Sequence, residues 1–427
     1  MKRQTVVVTG MGVVSPLGEG VPALAASLLD ARSGIGLWQS PCLEKQFPAG
    51  LVGASFDAQF TRLELPYLDR CSQMALIAAR QAIADAGLAD FAAYGPRAGL
   101  FYGSVRGGAQ KEEDWYQQLF AQGRQTARPF AVFAIMLNAA AAQISIRHQL
   151  LGPVTTYNTA CASSATAIGE ACRAIRAGDL DLAVAGGAEA PLTAFMFSVW
   201  DGVRALACID PADVGRSCRP FSRDRTGLVL SEGAAFVVLE SLQHCRDRGA
   251  AAYAEVAGYG VVSDGYHIGS PKAEGEAAAM GAALRDAGMG AEQIDYLNAH
   301  ATATRGGDEV EAQAIAMAFG AACGALPVSS TKAQHGHLLG ATGALEFIIT
   351  LVAMAESFLP ATAFLEEAGA DCRLNHVALK PILERPIAAA MSFSSGLGGT
   401  NVALIATQHA DLPAKRIVRL AAQPGIA

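Results

Sequence analysis

Two kinds of apolar pattern alternate along this chain. Short unbroken runs, such as Val6-Val7-Val8 and the segments at 98–102, 154–157, 182–185, 295–299 and 327–329, have the length and make-up of strands covered on both faces. Between them lie longer stretches in which apolar residues return every three or four positions. These predict helices from about Ser72 to Gly87, over 162–176, up to Gly288, and over 344–356. The alternation predicts an α/β chain, with helix layers packed on mostly parallel or mixed sheet.

The pattern occurs twice. Thr9-Gly10-Met11-Gly12-Val13-Val14-Ser15 recurs as Ala257-Gly258-Tyr259-Gly260-Val261-Val262-Ser263. Ile83-Ala84-Asp85-Ala86-Gly87-Leu88 recurs as Leu284-Arg285-Asp286-Ala287-Gly288-Met289, each with glycine where a helix end takes a left-handed residue. The run Glu232 through Leu239 parallels Gly399 through Ile405. Residues 1–250 and 251–410 therefore read as two copies of one α/β unit, the first with an insertion, and 411–427 as a peripheral tail. The paired Gly-x-Gly motifs are expected to be tight structural turns. They lack the third glycine of a dinucleotide site, and the glycines from Gly103 to Gly108 lack the lysine of a phosphate loop.

Composition narrows the class. With 52% hydrophobic and 17% charged residues the chain is too apolar for disorder, and a net charge of −7 argues against a nucleic-acid partner. The most apolar stretch, near 343–359, carries Glu346 and Glu356, so no membrane association is expected. The apolar run after Met1-Lys2-Arg3-Gln4 is too short for a signal peptide, and a cytoplasmic location is expected. Nine cysteines without Cys-x-x-Cys spacing suggest a reducing compartment and no metal site.

In layered α/β folds the chemistry sits where strands run into helices. Cys161 falls at such a point, in Tyr157-Asn158-Thr159-Ala160-Cys161-Ala162-Ser163, where the following helix favours a thiolate. A lone cysteine there is as readily a small buried side chain. His300 follows the strand at 295–299. His337 lies in Lys332-Ala333-Gln334-His335-Gly336-His337-Leu338-Leu339-Gly340, which occupies in the second copy the place Cys161 has in the first. One nucleophile and two imidazoles at strand exits point to a common site. His335 is expected to point elsewhere.

These motifs resemble those of the β-ketoacyl-[acyl-carrier-protein] synthases of the thiolase-like superfamily, in the elongating branch with a Cys-His-His site. Thr159 through Ser163 resembles the nucleophile motif. Asn298-Ala299-His300-Ala301-Thr302-Ala303-Thr304, with Asp308 and Glu311, resembles the first histidine motif, and Lys332 through Glu346 the second. Gly396-Leu397-Gly398-Gly399-Thr400-Asn401 resembles the C-terminal glycine-rich loop. The resemblance implies a thiolase-like fold and decarboxylative condensation of an acyl group on Cys161 with a malonyl thioester. It further implies oxyanion donors at the backbone of Cys161 and Leu397, beside Gly398, and enolate-oxygen donors at His300 and His337. Lys332 would pair with Glu346, and Thr302 and Thr304 would hold the phosphopantetheine arm. No separate cofactor is implied, because substrates arrive on an acyl carrier protein. The expected assembly is a homodimer or a heterodimer with a related ketosynthase-like subunit.

Leu397 replaces the aromatic residue usual in the glycine-rich loop. Arg106 stands where an acyl pocket is usually lined by a small residue, and Trp200 is expected to fill pocket space. Around Arg62 the basic cluster used for carrier docking is absent. These departures suggest a specialised polyketide or polyene synthase. The alternative is a catalytically weak, chain-length-determining partner of a ketosynthase, although such partners usually lack the nucleophile. A degradative thiolase would need a late cysteine, and none follows Cys372.

Overall fold

The computed structural model describes residues 3–53, 55–409 and 414–417. Its centre is a single mixed sheet. In spatial order the strands are Asn375–His376, Pro327–Ser329, Tyr296–Asn298, Ala389–Gly396, Thr400–Thr407, Ala254–Ser263, Val6–Ser15, Gly233–Ser241, Leu182–Glu189, Ala98–Gly103 and Val154–Tyr157, with Gly18–Glu19 paired to Val6–Ser15. The order reads as two mirrored sets of five, with Asn375–His376 added at one outer edge, that meet where Val7 and Val8 pair antiparallel with Glu255 and Ala254. Every repeat seen along the chain falls on a matched pair of strands or helices.

The sheet departs from the mostly parallel pattern. In each half the two strands nearest the centre run antiparallel to their neighbours, and only the outer ones are parallel. The reason is local. Ala389–Gly396 returns through a tight glycine turn directly into Thr400–Thr407, a connection that only antiparallel strands can make.

Helices Ser163–Ala177 and Thr342–Glu356 pack together between the two halves of the sheet and share one apolar cluster with strands of both. Outer helices Arg70–Asp85 and Ala273–Ala287 cover the opposite faces. The Gly-x-Gly motifs belong here and are not turns. They lie inside strands beside a bulge, and a Cβ on Gly12 or Gly260 would stand 2.0 or 2.2 Å from the carbonyl oxygen of Ala78 or Ala279 in the covering helix. Glycine lets helix backbone rest directly on strand backbone.

The stretch Leu339–Glu356 is long and apolar enough to cross a membrane by length and composition. It is 89% buried, however, and includes the central core helix. The described part of the tail is more than peripheral. Lys415 pairs with Asp85 and donates to the Thr9 carbonyl, Ala414 bridges to Ala252, and Ile417 N–H donates to Glu356, so the segment ties outer helix, central strand and core helix together.

Candidate active site

The turn from Val154–Tyr157 into helix Ser163–Ala177 is sharp. Ala160 takes a left-handed conformation, φ 49°, which costs energy for a residue with a Cβ and is the kind of strain found at functional turns. It places Cys161 at the head of the helix, 7% exposed. The glycine-rich turn presses on it from the other half. A Cβ on Gly396 would lie 2.6 Å from the Thr159 carbonyl oxygen, so only glycine permits this approach. As a result the backbone N–H of Leu397, together with that of Cys161 itself, is directed at the sulfur.

These donors do not outweigh burial. Loss of water pushes the Cys161 thiol up to about 11, against the downward pull of the Leu397 N–H and the Lys332 ammonium. The thiolate expected from the helix position is therefore not the resting form.

His300 and His337 enter from strand exits in the second half. The Glu311 carboxylate accepts from the backbone N–H groups of His300 and Ala301 at 2.7 and 2.6 Å, and so fixes the His300 turn. His337 N–H donates to the Val229 carbonyl at 2.7 Å, and its Nδ1 lies 3.0 Å from Thr342 Oγ1. The two ring centroids are 5.2 Å apart with planes at 81°. Donor atoms of Cys161, His300 and His337 all fall within 4.8 Å of one another. Burial first, then the Lys332 charge, holds both imidazoles well below their ordinary value, so both are neutral at neutral pH. Sulfur and imidazole atoms this close are also a grouping of a kind that could hold a metal ion.

Lys332 and Glu346 are fully buried and paired at 2.5 Å. Burial pushes the Glu346 carboxyl up to about 7 even beside its partner. The pair lies behind the cavity rather than in it, and its positive end depresses both imidazoles and the thiol. His335 is buried against Thr331 at 3.0 Å and faces away from the cavity, as expected.

One cavity of about 760 Å³ takes in Cys161, His300, His337, Thr302, Thr304, Trp200, Leu397 and Gly398. The Thr302 and Thr304 hydroxyls are 3.0 Å apart on its wall. Leu397 is half-exposed at its rim. Arg106 is not among the residues that line this cavity. The helix that begins at Ala109 sets Glu112 within reach, and the guanidinium turns to it at 3.1 Å. Two buried acids went unremarked along the chain. Glu189 accepts from the N–H groups of Val105 and Arg106 and from the Ser104 hydroxyl. Glu276 lines the cavity beneath the glycine-rich turn. Nothing local in sequence marks either, because their partners lie far along the chain.

The comparisons agree with this geometry. The model of the β-ketoacyl synthase N-terminal domain matches residues 3–244 and that of the C-terminal domain residues 253–366. The chain belongs to the β-ketoacyl synthase family, and its fold is thiolase-like. It is 39% identical over 405 residues to nodulation protein E of Rhizobium meliloti (strain 1021), covering 93% of this chain and 98% of that one. It is 38% identical over 421 residues to 3-oxoacyl-[acyl-carrier-protein] synthase 2 of Coxiella burnetii (strain RSA 493 / Nine Mile phase I), covering 96% of this chain and 100% of that one. Among solved structures, the ishigamide ketosynthase/chain length factor superposes with a TM-score of 0.88 at 31% identity, covering 95% of this chain and 100% of that one.

Proposed function

We propose that this protein is a β-ketoacyl-[acyl-carrier-protein] synthase that works through two half-reactions at Cys161. The observation that carries the reading is the convergence of one sulfur and two neutral imidazoles within 4.8 Å in a single cavity. In the first half-reaction the sulfur attacks an acyl thioester on the phosphopantetheine of a carrier protein. The Leu397 and Cys161 N–H groups receive the oxyanion, and the carrier thiol leaves with the proton the cysteine gives up. In the second, a malonyl thioester loses carbon dioxide and the enolate oxygen takes hydrogen bonds from His300 and His337. The enolate carbon then attacks the acyl carbonyl, the carbon–sulfur bond to Cys161 breaks, and a β-ketoacyl thioester departs while the cysteine regains a proton. Neutral imidazoles suit this step because they donate without attracting a resting carboxylate. Thr302 and Thr304 hold the pantetheine arm, Lys332 and Glu346 orient the site, and no separate cofactor takes part. The division near residue 250 assigns the nucleophile to one half and the imidazoles to the other.

The likeness to nodulation protein E and to a ketosynthase/chain length factor, the replacement of an aromatic gate by Leu397, and Trp200 on the cavity wall support a specialised polyketide or polyene substrate over a housekeeping fatty acid. Arg106 lends this no support, since it faces Glu112. A partner of the same class, a second copy or a related subunit, would cover the exposed apolar side chains Phe120, Phe133, Ile146, Leu151 and Val154 beside the edge strand Val154–Tyr157.

The test is intact-protein mass after incubation with acyl-carrier thioesters. A single acyl adduct that disappears in Cys161→Ser is expected, and an adduct that survives the change would overturn the assignment. In a panel of primers, best elongation of long saturated chains would overturn the specialised substrate.

A further inference from the structure

Cys161, His300 and His337 bring donor atoms within 4.8 Å of one another, and all three side chains are buried. The proposed reaction uses the sulfur and the two rings in separate roles. Together they are also a ligand set, because zinc takes one sulfur and two imidazole nitrogens and leaves a fourth position open. Tetrahedral zinc holds such atoms about 3.3–3.6 Å apart, so the widest pair must close by at most about 1.5 Å, within reach of side-chain rotation. The fourth position opens on the cavity of about 760 Å³. These ligands come from three separate segments, so the spacing of cysteines along the chain is silent about them.

Two details decide what kind of metal site this is. His337 Nδ1 lies 3.0 Å from Thr342 Oγ1, and that hydroxyl can accept the Nδ1 proton. The lone pair is then on Nε2, where an ion can take it. Turned round, the same hydroxyl donates to Nδ1, which returns the N–H to Nε2 for an enolate. His337 can thus serve metal and substrate in turn. His300 has no such anchor: its Nδ1 is buried with no hydrogen-bond partner among the described residues. A missing outer bond costs a zinc site about 10–100-fold in affinity. Charge acts in the same sense. Zinc on a thiolate leaves one positive charge, opposed by the Lys332 ammonium, which Glu346 matches at 2.5 Å. Glu276 and Glu311 line the cavity and offset part of it. A complete outer shell would retain zinc, whereas this half-built one releases it.

We propose that Cys161, His300 and His337 form a reversible, inhibitory zinc site. On binding, the cysteine S–H proton passes to water, the sulfur and one lone pair from each imidazole bond the ion, and nothing is oxidised or reduced. The sulfur then cannot attack a thioester, and neither bound nitrogen can donate to an enolate oxygen, so both half-reactions stop together. The site rests on the same three residues as the proposed condensation, yet the ion needs neither acyl group nor carrier protein to bind.

Cobalt(II) is the probe, since it takes the place of zinc and is coloured. The metal-free full chain should develop the visible bands of a tetrahedral ion and a sulfur-to-cobalt charge-transfer band, saturating at one ion per chain, and zinc should abolish both. Cys161→Ala should lose the charge-transfer band, and His337→Ala should weaken cobalt binding about tenfold or more. A second measurement needs no variant. Saturating zinc should slow iodoacetamide alkylation of Cys161 in the wild type about tenfold or more, read by peptide mass, and a chelator should restore it. Cys42 and Cys208 are exposed and report binding elsewhere, Cys208 from the same cavity. A charge-transfer band that survives Cys161→Ala, or zinc that protects Cys208 and leaves Cys161 open, would overturn the proposal. Cobalt bound as expected by a chain that accepts no acyl group would refute the proposed reaction and leave this site standing. An acyl adduct on Cys161 in a chain that binds no cobalt would sink the site alone.

Discussion

The rings of His300 and His337 meet edge to face, with centroids 5.2 Å apart and planes at 81°. Two neutral imidazoles in that relation can point N–H donors at one oxygen from two directions, which is what a developing enolate requires and a thiol acylation does not.

Replacing either ring by alanine should therefore separate the half-reactions. His300→Ala and His337→Ala should each still be acylated at Cys161 but lose condensation by about 10²–10³-fold. The double variant should be little worse than either single one, since both donors serve one oxygen. Acylation that falls as far as condensation would contradict this division of labour.

Lys332→Met strands the Glu346 carboxyl in a fully buried place. Unfolding measured in urea should show a loss of about 3–5 kcal/mol, much of it recovered in Lys332→Met/Glu346→Leu, where neither charge remains. The double variant should stay poorly active, because the buried ammonium that acts on both imidazoles and on the Cys161 thiol is gone. Full activity in the double variant would show that the pair is scaffold only.

The pH dependence of thiol reactivity follows from burial. With the Cys161 thiol near 11, the thiolate fraction at pH 7 is small and should grow with each unit of pH well beyond pH 9. Alkylation should climb over that whole range. A plateau by pH 7 would mean that the turn donors prevail over desolvation after all.

Gly12→Ala tests the duplicated packing. Its Cβ would stand 2.0 Å from the Ala78 carbonyl oxygen, which is backbone and cannot turn aside. A loss of about 1–3 kcal/mol or more is expected in thermal unfolding. Gly260→Ala, at the matched place in the other half, should cost a similar amount.

Much of this was legible along the chain. The repeats located the matched strands, and the places of Cys161, His300 and His337 at strand exits followed from alternation alone. What escaped depends on contacts between segments distant in sequence. The pairing of Arg106 with Glu112, six residues on in the first turn of the next helix, was not announced by its place in the motif. Gly10 and Gly12 read as a turn because glycine serves close approach as well as reversal, and only the covering helix tells which. Glu189 gave no sign, since it accepts from Ser104, Val105 and Arg106, more than eighty residues away.

The left-handed φ of 49° at Ala160, unlike the glycine turns around it, is held open by its surroundings. Its strain sits one peptide from the reacting sulfur and is maintained by the facing half, through Gly396 against the Thr159 carbonyl. Neither half could hold the nucleophile in attacking posture by itself. A severed or loosened pairing of the halves would disarm the cysteine before it unfolded the chain.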